Sequence, residues 1–159
     1  TAIGCGYMYY KKGDFDKCIS YFDNAIELEQ DPIKKADYLY SAAAVLFANK
    51  QLSKAKQYAL NSIKSNGESG KPYMLIAQMY ASSPNWSDEA ALNKCTFFAV
   101  IDKLQKAKSV DPSCAEEADK LIRTYAGYTP KDEDLFFIGI KKGAAVTIGG
   151  WIGETTTVR

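Results

Sequence analysis

Apolar positions along this chain fall at intervals of three and four, the period of helices that bury one face. Gly13-Asp14-Phe15 reads as a turn, and Cys18, Phe22 and Ala25 follow at offsets of four and three on one helical face. The same face recurs as Ala55, Ala59 and Ser62, and again as Val100, Leu104 and Ala107; Cys18 to Ala55 is a shift of 37 residues. A second pattern precedes each copy. It is Leu39, Ala42, Ala43 and Leu46 before the second, Tyr73, Ile76, Ala77 and Tyr80 before the third, and Cys5, Gly6 and Tyr9 before the first, where the chain starts inside the helix. Gly6 and Ala43 each precede the small residue of the next helix by 12 positions, and small residues at both places let two helices approach closely. Three antiparallel helix pairs are predicted, the first truncated.

The third pair carries an insertion near residues 81–91. Ser82-Ser83-Pro84-Asn85-Trp86 reads as a loop, and Ser87 with Asp88 and Glu89 reads as a helix start. One long helix is therefore predicted from about Asp88 to Val110, stopped by Asp111-Pro112. Ser113 and Glu116 fit a capping box, which predicts a helix over 113–127 with a left-handed cap at Gly127. Ala118, Leu121, Ile122 and Tyr125 repeat the first-helix spacing, so this helix closes the last open groove of the stack.

Beyond it, Thr129-Pro130 predicts an N-cap for a short helix through Leu135, Phe136, Phe137 and Ile138, ended by Gly139. Residues 143–159 turn β-like, with Gly153-Glu154 as the two-residue turn of a hairpin. The run 135–138 and Trp151 read as anchors fastening this tail. The organisation predicted is thus a helical-repeat part over 1–128 and a tail over 129–159 packed on it.

Together these spacings resemble the tetratricopeptide repeat, over roughly residues 2–126, whose period is about 34. The resemblance implies a mainly α fold, a right-handed α-α superhelix of antiparallel helix pairs, with the short C-terminal β-hairpin added. It also implies a non-enzymatic scaffold that holds a peptide or helix in the concave groove lined by first helices. Carried onto this chain, that face takes Ile3, Tyr7, Tyr10 and Lys11 from the first copy, Tyr40, Ala44 and Phe47 from the second, and Met74 and Gln78 from the third. Each aromatic has a second reading as filler between neighbouring repeats. The Lys and Asn clamp of chaperone-binding members would fall on Ile3 and Tyr7, so that pattern is absent.

The ending from Gly149 to Arg159 is similar to that of exported tetratricopeptide proteins of Bacteroidetes-type bacteria. This likeness implies a periplasmic or envelope location, failing which a cytoplasmic one, and an upstream part with further repeats and a signal peptide. The absence of an initiator Met before Thr1 fits a fragment or processed product. The rival binding reading gives recognition to the tail. There the hairpin lends an edge strand to a partner or mediates self-association, with Trp151 as a contact. Trp86, in the inserted loop, reads either as an interaction point or as packing.

Composition narrows these readings. With 20 basic and 19 acidic side chains the net charge is +1, which removes the electrostatic argument for nucleic acid and gives no support for an anionic membrane surface. The greasiest stretch, Leu39 to Ala48, is too short to span a bilayer and is interrupted by Ser41, so no membrane insertion is expected. Histidine is absent, and with it the usual general base and the commonest metal ligand. Cys5, Cys18, Cys95 and Cys114 show no Cys-x-x-Cys spacing; they read as small buried thiols, with one disulfide left open, and no metal or cofactor is expected. The acids at Asp14, Asp16, Asp132, Glu133 and Asp134 sit where caps and helix dipoles favour them, and Gly149-Gly150 lacks the Lys of a phosphate loop. No catalytic residue is assigned, and an enzymatic or enzyme-accessory role stays a remote alternative.

Overall fold

The computed structural model describes residues 1–159, and they form two compact units, residues 1–75 and 76–159. The chain is mainly α, with one short antiparallel sheet near its end.

In the first unit, α1 (Ala2–Lys11) pairs with α2 (Phe15–Leu28), and α3 (Pro32–Ala48) pairs with α4 (Leu52–Ser65). Both turns use one device. The amide of Gly13 donates to the Tyr10 carbonyl and that of Asp14 to Tyr9; likewise Lys50 donates to Phe47 and Gln51 to Leu46. This is the Schellman arrangement, which needs a left-handed residue after the helix cap. Gly13 supplies it at φ +76°, while Lys50 adopts φ +61° against its own Cβ. Asp14 and Asp31 cap α2 and α3 by accepting from the amides of Lys17 and Ile33.

The repeated face is the core. Cys18, Phe22, Ala42, Ala43, Ala55 and Ala59 are all inaccessible to water. Gly6 lets α2 close in: a Cβ there would stand 3.3 Å from the Phe22 ring. Ser62, the polar member of the repeated face, donates to the Ala36 carbonyl at 2.8 Å and ties α4 to α3. The start of α5 (Lys71–Ala81) completes this unit.

The second unit departs from the expected single long helix. Residues 88–110 form α6 (Ala90–Lys94) and α7 (Thr96–Val110), broken at Cys95. The inserted loop explains the break. Asn93 Oδ1 accepts from the amides of Trp86 and Ser87, and its Nδ2 donates to the Ser87 carbonyl. Thr96 Oγ1 accepts from Trp86 Nε1 and donates to the Pro84 carbonyl. These side chains tie the helix to the loop on both sides of Cys95, where Phe98 N–H bonds back only three residues.

The capping box is not formed. Asp111 accepts from the amide and hydroxyl of Ser113 and opens a 3₁₀ turn, Pro112–Cys114, from which α8 (Ala115–Ala126) continues without a side-chain cap. The Asp111 carboxylate takes the Ser113 amide that the Glu116 side chain would bond in a capping box, and it takes the Ser113 hydroxyl as a second donor. Gly127 is right-handed, at φ −71°, because the chain turns on through the Tyr128 amide to the Tyr125 carbonyl. Thr129 bonds back to the Ala126 carbonyl, so it closes α8 and does not cap α9 (Asp132–Phe137). Gly139 ends α9 as expected, at φ +77°, in a third Schellman pattern with Ile140 bonded to Leu135.

The hairpin pairs β1 (Ala145–Thr147) with β2 (Thr155–Thr157), with Val146 opposite Thr156. The predicted turn at Gly153-Glu154 is displaced. Residues 148–154 form a wide loop, closed by Ile148 N–H on the Glu154 carbonyl, with Gly150 and Gly153 at positive φ. The side chains of Ile148 and Ile152 are buried in the core, and 151–152 lie outside the ladder.

Candidate functional site

The exposed side of the first unit is rich in tyrosine, and the helix period decides which ones face water. Gly6 and the buried edge of α1 lie against α2, so Tyr7 and Tyr10 fall to the side, 45% and 41% exposed. Each is rigidly backed. Tyr7 stands edge-on to Phe22, centroids 5.3 Å apart, and its hydroxyl donates to Ser41 Oγ on α3 at 3.3 Å. Tyr10 stands edge-on to Phe15 at 5.9 Å. Ile3 is half-buried and Lys11 exposed.

On α3, Tyr40, Ala44 and Phe47 recur at the helix period and are half-buried. The bond from Tyr7 to Ser41 brings the expected α1 and α3 faces together. Met74 is half-buried on the part of α5 in the first unit; Gln78, one turn later, is exposed and belongs to the second. Tyr9 lies off this face. It stacks on Tyr21 at 5.4 Å, with the ammonium groups of Lys12 and Lys17 over its ring.

This arrangement of helix pairs has counterparts among solved structures. The TPR2B domain of yeast Sti1, solved as a complex with pHsp70, superimposes with a TM-score of 0.61 at 17% identity, over 79% of this chain and 94% of that one. The fold is tetratricopeptide-like. No protein-family model matches the chain.

Around the tetratricopeptide-like core the titratable groups are structural. Tyr58 donates to Asp23 Oδ1 at 2.6 Å, joining α4 to α2; burial, then that bond and the carboxylate charge, push its phenol above the ordinary tyrosine value. Tyr80 is raised in the same way, by burial and then by Glu154. Burial raises the thiols of Cys18, Cys95 and Cys114, which keeps them from the reactive thiolate form. All four cysteines are free thiols, and no three His, Cys, Asp or Glu side chains converge as metal ligands. No helix is long and apolar enough to cross a membrane.

The tail is fastened at several points within the second unit. Trp151 packs on Tyr80, and its Nε1 donates to Ser83 Oγ at 3.1 Å. Asp102 on α7 accepts from Thr156 at 2.6 Å and pairs with Arg159, while Lys103 pairs with Glu154 at 2.6 Å. Trp86 is packing rather than a free contact: its ring lies against Gly149, where a Cβ would stand 2.6 Å from Cε3. The expected anchor run 135–138 is corrected in part. Leu135 is buried, but Phe136 and Phe137 are 74% and 85% exposed, because successive helical residues point about 100° apart and both rings are carried away from the side on which Leu135 is buried. Their outward turn, and the role of Ser41 beneath Tyr7, were not visible in the apolar pattern.

Proposed function

We propose that this chain is a non-enzymatic protein-interaction module whose first-helix face takes up an extended peptide or a partner helix. Tyr7 supports this most. It is nearly half exposed, yet held by Phe22 and by Ser41, so it offers a large amphipathic ring at small ordering cost. Tyr10, Lys11, Tyr40, Phe47 and Met74 complete the face within the first unit. The complex that the tetratricopeptide neighbour forms with pHsp70 supports a protein partner. Ile3 and Tyr7, where a carboxylate clamp would need Lys and Asn, argue against a charged C-terminus as the ligand. Raised cysteine thiols in a chain without histidine support the non-enzymatic reading.

On this reading residues 1–128 supply the repeats and 129–159 a structural cap. The fastening of the tail through Asp102, Lys103 and Ser83 favours a cap over a hairpin that lends an edge strand. The likeness of residues 149–159 to exported bacterial proteins supports an envelope setting, and fractionation of native cells that leaves the protein wholly cytosolic would remove it. The face itself is tested by Tyr7→Ala with Tyr40→Ala. Partner capture from native cell extract should be lost while helicity is kept, and undiminished capture by the folded variant overturns the proposal.

A further inference from the structure

Phe136 and Phe137 are two adjacent rings left in water by a helix whose position is fixed. Leu135 is 2% exposed and its carbonyl closes the turn through Ile140, so α9 cannot roll to bury them. Both rings and the carboxylates of Asp132 and Glu133 line one open hollow. An exposed apolar patch rimmed by charge marks a contact surface, and here the rim is acidic. Asp132 is held by Lys142 at 3.2 Å, whereas Glu133 enters no ion pair in its own chain. The complement is an apolar, aromatic surface with a cation beside it. The chain carries one itself: Tyr7 and Tyr10 are half exposed, and exposed Lys11 follows Tyr10 at the end of α1. A net charge of +1 leaves little long-range repulsion between copies.

We propose that α9 of one copy seats Phe136 and Phe137 against the tyrosine face of α1 and α3 of a second copy, with Glu133 opposite Lys11. This rests on the reading of that face as a binding surface. Knob and face are different surfaces, so the contact is heterologous and joins copies head to tail. Two rings bury roughly 150–250 Å² each, short of the roughly 800 Å² per partner of a standard stable interface, so association is weak and concentration-dependent.

Sedimentation velocity on the full chain, between about 5 and about 200 µM, tests this in the range where so small an interface assembles. The wild type should associate, and Phe136→Ser with Phe137→Ser should raise its dissociation constant at least about tenfold. Tyr7→Ala with Tyr10→Ala should do the same. Mixed together, these two variants should form a dimer that stops at two chains, since one intact knob and one intact face remain. Lys11→Glu should weaken association about threefold, and adding Glu133→Lys should restore it.

Association undiminished in the Phe variant overturns the proposal. So does association lost in the Phe variant but kept in the tyrosine variant, which would send the knob elsewhere. A monomeric wild type that floats with zwitterionic vesicles through the same rings overturns it in favour of a lipid surface. Any of these results alongside intact, tyrosine-dependent partner capture leaves the binding face standing and removes only the second copy as its occupant.

Discussion

Gly149→Ala is the change that most directly asks how the tail is held. Gly149 needs no unusual backbone, so the substitution carries no φ penalty, only a steric one. The new methyl would stand 2.6 Å from Trp86 Cε3, against ordinary contact at 3.4–4 Å. Trp86 has little freedom to yield. Its Nε1 donates to Thr96 Oγ1, which is wholly buried, and its amide donates to Asn93 Oδ1. Moving the ring forfeits a hydrogen bond with a net worth of about 1 kcal/mol, and overpacking a filled site costs roughly 1–3 kcal/mol. Moving the backbone instead strains the Ile148 to Glu154 bond and disturbs Ile148, which is fully buried. Either path destabilises the second unit by about 2–3 kcal/mol.

Both tryptophans lie in that unit, so their emission during urea denaturation reads it alone. A loss of about 2–3 kcal/mol should lower the melting temperature of this unit by roughly 8–24 °C. The coupling to Trp86 is the sharper readout. In a Trp86→Ala background the ring that the added methyl meets is gone, and Gly149→Ala should cost less than about 0.5 kcal/mol, a coupling of about 2 kcal/mol. A cost below about 0.5 kcal/mol in the wild-type background would refute the reasoning, as would equal costs in both. The result bears on function, because a hairpin locked to the 82–86 loop is not at liberty to pair with another chain.

Two further outcomes are expected. Lys50 occupies the left-handed position that Gly13 fills in the first turn, so Lys50→Gly should stabilise by about 0.5–1 kcal/mol and Lys50→Val should destabilise by at least about 1 kcal/mol. Thermal melts that fail to rank Gly above Lys above Val would rule out the strain. Tyr58 has its phenol raised above the ordinary value of 10.0, so its contribution is complete below that pH and is lost as pH climbs toward the folded value. Urea denaturation from neutral pH to above about pH 10 should therefore show a shallower alkaline loss in Tyr58→Phe than in the wild type. Parallel curves would mean the phenol titrates alike folded and unfolded.

Legibility in the sequence followed from how local each cause is. Cys18, Phe22 and Ala25, with their echoes at 55, 59 and 62 and at 100, 104 and 107, are buried as their spacing predicts, because helix periodicity is a property of one segment. The errors fall where a second partner competes for the same groups. Ser113 and Glu116 satisfy a capping rule, but Asp111, two residues upstream, takes the Ser113 amide that Glu116 would bond. The helix over 88–110 looks continuous until Asn93 and Thr96 are drawn to residues 84–87, a partnership that no window along the chain reveals. The hairpin turn moved for the same reason: Gly153-Glu154 has turn chemistry, yet burial of Ile148 and Ile152 widens the loop to residues 148–154.

The proposed binding face shows the same division more finely. That Tyr7 and Tyr10 share a side of α1 follows from their spacing, but what makes Tyr7 a platform is Ser41, 34 residues away, and Phe22 beneath it. Read from sequence, Ser41 was only an interruption in an apolar run. Phe136 and Phe137 invert the lesson. Hydrophobicity alone marked them for the interior, while the 100° step of the helix forces them out once Leu135 is committed inward. Spacing can say that side chains share a face, but only packing decides which face meets water. The backed tyrosines of the first unit and the unbacked phenylalanines of the second are therefore unlike surfaces. A ring already braced by its own chain suits a receiving wall. Two rings braced by nothing suit insertion into one.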